Sequence, residues 1–199
     1  MAVNLFPAFI KLAGRQCLAV GAGQVGASKI ATLVDFGACV VVVAPEAVAD
    51  VQALVASGAI QWKQREFTAA DLEGIFMVIA ATSSVDVNRA VFEEAQRRNI
   101  LCNSVDDPPH CDFYFPAAVR RGSLQIAIST AGESPALAQR IRIELEQSLD
   151  ESLGREVERI GALRRRILGA NLESAERKLL LRLLAHHGIE PAAREGFKR

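Results

Sequence analysis

The side chains with most chemical potential crowd into one short run, Asn103–Pro116, NSVDDPPHCDFYFP. It holds adjacent carboxylates at Asp106 and Asp107, an imidazole at His110, a thiol at Cys111 and three aromatic rings. A carboxylate at such a place can serve as a general base. Asp107, followed by two prolines, reads as a turn cap, and Cys111 as a packed thiol. His110 and Cys111 invite a metal reading, but sequence neighbours rarely both ligate one ion, and no metal site is expected. No two of Cys17, Cys39, Cys102 and Cys111 form a C-x-x-C pair, so zinc-ribbon and thioredoxin-like motifs are absent.

The second candidate is GAGQVG, Gly21–Gly26, which fits G-x-G-x-x-G. It follows the apolar run QCLAV and opens the helix-like QVGASKIATLVDFG, the context in which the pattern has a mechanism. Gly21 permits a tight turn, Gly23 lets the backbone approach a pyrophosphate, and Gly26 lets the helix pack close to the sheet. Gln24 and Val25 begin that helix, whose N-terminus offers unpaired N–H groups to phosphate. The acid expected about 20 residues on, for the adenosine ribose, is displaced. The next strand ends VVVAPE, so the ribose is expected near Pro45 and Glu46. No arginine stands at that tip, which favours NAD over NADP. AATSS, Ala80–Ser84, places Thr82 where small hydroxyl residues leave room beside a nicotinamide ribose. It also supplies a cap for the next helix.

These residues need elements to carry them. QCLAVGAG, ACVVVVAP, AIQWKQREF, IFMVIAAT and ILCNSV read as strands, alternating with helices after Gly23, over 46–57 and over 84–99. Strand–helix alternation with short connections implies an α/β, doubly wound parallel sheet. The rhythm breaks after Val105. FYFPAAVRRGSLQIAIST reads as two strands about a turn at Arg121–Ser123, and Ser134-Pro135 as the cap and first residue of a helix. From Asp150 the chain reads as helical, punctuated by Gly154, Gly161 and Gly169, with a last helix capped by Asn171 and closed by Gly188.

The chain has 199 residues and half are hydrophobic, enough for a core without staples. Lys+Arg and Asp+Glu are both 23, and zero net charge argues against a nucleic-acid binder. No run approaches the length of a membrane span, and MAVNLFPAFIKLAG makes a poor signal peptide. A reduced, cytoplasmic protein is expected.

LFPAFIKLAGRQCLAVGAGQVGASKI, VVVAPE, VIAATSS, CNSVDDPPHCDFYFPA and ISTAGESPALAQRIR together resemble the precorrin-2 dehydrogenase family, the NAD-dependent module of siroheme synthase. The resemblance runs from about Leu5 to Leu149. It implies a Rossmann-type domain over 1–112, a small α+β dimerisation region over 113–149 and a helical C-terminal domain over 150–199. The length implies a form without the methyltransferase module. The implied reaction takes precorrin-2, an octacarboxylate, to sirohydrochlorin with NAD; some members also insert Fe2+. Asp106 matches the aspartate of the family's N-x-V-D motif, at the edge of strand five where ligands bind, with Asn103 beside the cofactor. Where His110 stands, the family often has an aliphatic residue. The substrate's carboxylates call for Arg120 and Arg140, with Ser129 and Thr130 near the helix start at Pro135. Arg121 and Arg142 flank the same elements. Arg164–Arg166 and His186-His187 read as solvated charge. A homodimer is expected. The competing reading is a non-catalytic NAD-sensing module with a helical partner-binding tail, which would have no need of Asp106.

Overall fold

The computed structural model describes residues 4–187, with side chains to residue 185. The chain divides into two compact units. One is Pro7–Tyr114; the other runs from Phe115 and includes the segment ending at Phe6.

The first unit is a Rossmann-type layer structure. Its strands are β1 (Gln16–Val20), β2 (Cys39–Val43), β3 (Ile60–Lys63), β4 (Met77–Ala80) and β5 (Leu101–Ser104). Three helices connect them, α1 (Gln24–Asp35), α2 (Ala49–Ala56) and α3 (Val85–Arg97). The sheet order is β3-β2-β1-β4-β5 and every pairing is parallel. The central strands β2, β1 and β4 are apolar almost throughout, as expected of parallel strands covered on both faces. Leu18, Val20, Val78 and Cys102 pack with Leu72, Val91 and Ala95 in one core cluster, while α1 buries Ile30 and Leu33. Strand order reverses between β1 and β4, where a crevice opens beyond the carboxyl ends.

Two boundaries differ from the sequence reading. The helix expected from Glu46 begins at Ala49, because Pro45–Val48 crosses the strand ends and Val48 N donates to Ala22 O at 3.0 Å. The strand expected to reach Phe67 stops at Lys63, because the chain turns onto a buried carboxylate. Asp71 accepts from Arg65 Nη1 and Nη2 at 2.7 and 2.5 Å, and from Lys63 Nζ at 3.0 Å. Thr68 N donates to it at 3.0 Å, closing a capping box on the 3₁₀ turn Ala69–Leu72.

The second unit holds the hairpin β6 (Ala117–Arg121) and β7 (Leu124–Ile128), then α4 (Pro135–Ser148), α5 (Ser152–Gly169) and α6 (Ser174–His187). Gly122, at φ +54, makes the hairpin turn. Ser134 caps α4 and Pro135 opens it, as read from the sequence. Arg121 is buried and ties hairpin to helix: Nε donates to Leu149 O at 2.8 Å and Nη2 to Glu146 O at 2.7 Å, satisfying carbonyls at the end of α4. Gly154 and Gly161 do not interrupt α5. Gly154 is a packing residue, since a Cβ there would lie 2.8 Å from the Arg121 carbonyl carbon. Helix α6 starts at Ser174 rather than after Asn171, and Gly188 lies outside the described residues. No helix among the described residues is long and apolar enough to cross a membrane.

The Asp71 cluster generates a stability expectation. Its hydrogen-bonded cations, Arg65 foremost, hold the Asp71 carboxyl well below the usual carboxylate range. The contribution is therefore complete above the unfolded-state pKa of about 4 and is lost as pH falls through the lower folded value. Asp71→Asn is expected to cost ~2–4 kcal/mol at pH 7, since a hydrogen bond to a charged group contributes about 1.5–3 kcal/mol. Urea unfolding of both proteins from pH 7 downward checks this: the gap should narrow as the medium becomes more acid than pH 4.

Candidate active site

The crevice is built from backbone first. Gly21 sits at φ +98, which L side chains rarely adopt, and a Cβ on it would come within 2.4 Å of Ala81 O. Only glycine lets the β1–α1 turn lie flush against the exit of β4. Gly26 is constrained by space alone, since a Cβ there would lie 2.8 Å from Gly21 O. Gly23 is different. Its φ of −76 is ordinary, and a Cβ would meet nothing within 4 Å. It therefore borders open space that a side chain would fill. No side chain caps α1 and its first turn has no acid, so its N–H groups face that recess.

Two cavities meet at Gly23. The larger, about 820 Å³, runs from the glycine loop past Pro45 and Glu46 to Glu66 and Phe67. Its size suits a large ligand. The Trp62 indole donates to Ala44 O at 3.0 Å and steadies the β2 tip. The smaller, about 250 Å³, is lined by Gln24, Val25, Thr82, Val105 and Asp106. Gly21, Gly23, Gln24, Val25, Pro45, Glu46, Thr82 and Asp106 thus gather around one continuous edge of the sheet.

Several residues that shape this edge were not legible. Thr82 is fixed by Asn88, buried on α3: Thr82 Oγ1 donates to Asn88 Oδ1 at 2.7 Å, and Asn88 Nδ2 donates to Thr82 O at 3.1 Å. The only signal was a polar residue on the apolar face of α3, one turn before Val91. Glu66 and Phe67 reach the larger cavity because β3 ends early. Asp112 Oδ2 accepts from Cys102 N at 2.9 Å and Gln96 Nε2 at 2.8 Å, clamping the chain beyond β5.

Asp106 is exposed at φ +60, a left-handed position that aspartate tolerates. Lys29 lies one turn after Val25 on α1, and helical side chains lean toward the N-terminus. Burial pushes its ammonium pKa down, and the charge of Asp106 opposes that shift. Asn103 is placed otherwise than expected. It lines neither cavity; its carboxamide donates to Phe113 O at 2.8 Å and Cys111 Sγ at 3.4 Å, holding the loop after β5. Asp107 does not cap its turn through its side chain but pairs with His110 Nδ1 at 2.7 Å, and the His110 ring stands edge-on to Phe92. Among the described residues no cluster of three metal-ligating side chains forms.

The expected substrate residues belong to the second unit. Ser129 Oγ accepts from Ala131 N and Thr130 Oγ1 from Ser134 N, each at 3.1 Å. Arg140 Nε donates to Glu144 at 2.8 Å, and Arg120 is exposed on β6 opposite Gln125.

A family model described as putative NAD(P)-binding matches residues 8–117, and one described as sirohaem biosynthesis protein, central, matches 121–148. The chain belongs to the NAD(P)-binding family of sirohaem biosynthesis. Within it, the chain is 44% identical over 165 residues to a siroheme synthase of Photorhabdus laumondii, covering 83% of this chain and 35% of that one. It is also 44% identical over 152 residues to one from Neisseria meningitidis, covering 76% and 32%. The chain thus spans about a third of the length of these curated relatives. A solved structure of SirC, precorrin-2 dehydrogenase, superposes with a TM-score of 0.79 at 27% identity, covering 98% of both chains. The glycine loop, the open recess at Gly23 and the uncapped α1 are what an NAD(P)-binding family member needs to hold a pyrophosphate.

The contrast between the glycines is testable. Gly23→Leu should fold with near-parental thermal stability yet lose dinucleotide affinity by more than about 100-fold, because its side chain fills the phosphate recess. Gly21→Ala should instead lower the melting temperature. Calorimetric titration and thermal unfolding of both variants read the two effects separately.

Proposed function

We propose that this chain is an NAD-dependent precorrin-2 dehydrogenase, producing sirohydrochlorin. The observation that carries the reading is the end-to-end similarity to SirC, precorrin-2 dehydrogenase, over 98% of both chains. The site residues support it. NAD supplies a hydride acceptor when bound. The glycine loop and α1 hold the pyrophosphate, and Thr82, locked by Asn88, borders the nicotinamide end. Oxidation of precorrin-2 releases a hydride and a proton. Asp106, which lines the smaller cavity, takes that proton in this reading, as a carboxylate general base can. Arg120 and Arg140, with Ser129 and Thr130, bind substrate carboxylates, and Asn103 acts indirectly by holding the loop that carries Asp106.

The region 113–149 serves as a dimerisation region in this reading. Leu137 and Ile143 are 47% and 44% exposed on α4, and exposed apolar faces of this kind usually mark interfaces. All four cysteines are free, in keeping with a reducing, cytoplasmic setting.

Mixing the protein with precorrin-2 and NAD and following NADH absorbance tests the activity, and adding Fe2+ afterwards reads metal insertion. Absence of NADH formation by a protein that binds NAD would favour the sensor reading. Asp106→Asn should bind NAD normally while turnover falls by about 10²–10⁴-fold, the usual contribution of a general base. Asp107→Asn should be much milder; equal effects of the two would move the base elsewhere, with His110 next. Sedimentation at micromolar concentration should show a dimer, and a monomer would contradict the assigned interface.

A further inference from the structure

In sheets of this topology the adenosine ribose lies at the carboxyl tip of the second strand, where an acid binds a 2′-hydroxyl or an arginine accommodates a 2′-phosphate. Here β2 ends at Val43, and the larger cavity continues along Ala44 and Glu46 to Glu66 and Phe67 at the end of β3. The ionisable side chains lining that cavity are the two carboxylates, Glu46 and Glu66, both exposed.

Cations do stand beside this edge. Lys63 ends β3 and Arg65 follows it, immediately before Glu66. Both are drawn onto Asp71, whose side chain is only 1% exposed. Arg65 is held most firmly. Nη1 donates to Asp71 Oδ2 at 2.7 Å and to Glu66 O at 2.8 Å, and Nη2 donates to Asp71 Oδ1 at 2.5 Å. The bidentate geometry fixes the guanidinium in direction as well as in place. Turning Arg65 toward a ligand phosphate would strip a buried carboxylate of its principal partner, which is strongly unfavourable.

We infer that Glu46 and Glu66 make this cleft select a dinucleotide with a free 2′-hydroxyl, and that Asp71 enforces the selection by withholding Arg65 and Lys63 from a 2′-phosphate. The inference rests on the dinucleotide reading of the cleft. A ribose hydroxyl can donate to a carboxylate. A 2′-phosphomonoester carries a charge of about −1.5 to −2 at neutral pH and would face like charges with no counter-ion on the wall. Because both carboxylates are exposed, added salt weakens the discrimination. Asp71 touches no ligand in this scheme; it acts by positioning the cations.

The experiment titrates NAD and NADP separately into the full chain, with calorimetry as one readout and Trp62 fluorescence as the other. Trp62 is the chain's only tryptophan and its indole is bonded to the β2 tip. At low salt NADP should bind at least tenfold more weakly than NAD, with the ratio shrinking as salt rises. The double substitution E46Q/E66Q should narrow the ratio by about tenfold, chiefly through tighter NADP binding. D71N, measured well below its lowered unfolding temperature, should also narrow it, because Arg65 becomes available to the phosphate. Equal affinities in the parent, or an unchanged ratio in E46Q/E66Q, would overturn the selection by carboxylates. An unchanged ratio in D71N would overturn the part given to Asp71. Failure of the parent to bind either dinucleotide would overturn the reading of the cleft itself, and the inference with it.

Discussion

The site depends on how closely the β1–α1 turn approaches the end of β4. A methyl group on Gly21 would sit 2.4 Å from Ala81 O, so the two strand ends can meet only because that group is missing. The close approach lets Ala81 N donate to Val20 O at 2.8 Å and brings Thr82 to the glycine loop. From there Gly21 N reaches Val43 O at 2.9 Å and Val48 N reaches Ala22 O, so the β2–α2 crossing is drawn to the same point. A bulkier first glycine would separate these ends, and the helix N-terminus would no longer face the crevice at the switch point.

The loops at this edge are kept in shape by polar groups outside the two cavities, of which Asn88, Asp71 and Asn103 are buried. Asn88 organises the β4–α3 connection and Asp71 the stretch after β3. Asn103 and Asp112 secure the residues after β5. Each satisfies backbone or side-chain partners that would otherwise be costly to bury. The consequence for function is order. Asp106 stands at a left-handed turn between β5 and a clamped segment, which limits where its carboxylate can move. This arrangement gives the opening run NSVDDPPHCDFYFP its meaning: Val105 and Asp106 line the smaller cavity, and several others hold them there.

Chemistry is also divided between the two compact units. The larger cavity is lined wholly from Pro7–Tyr114, whereas the residues proposed to bind substrate carboxylates lie on the hairpin, on α4 and in the connection between them. The second unit has its own fastening. Buried Arg121 joins the hairpin to the end of α4, and Gly154 lets α5 lie against the Arg121 backbone. A guanidinium that the charge argument alone would offer to a substrate is committed instead to helix carbonyls.

The strands, their parallel arrangement, the tight turn at Gly21 and the close packing at Gly26 were legible in the sequence. They depend on short-range patterns, uniform apolarity of covered strands and the conformational freedom of glycine. The cap at Ser134 was legible for the same local reason. The early end of β3, the recruitment of Glu66 and Phe67 to the cleft and the commitment of Asn103 to the following loop were decided only by tertiary structure. So was the pairing of Asp107 with His110. A side-chain oxygen or ammonium finds its partner through space. Asp71 collects Lys63, Arg65 and Thr68 because folding buries its carboxylate among them, and no periodicity in the sequence records that burial.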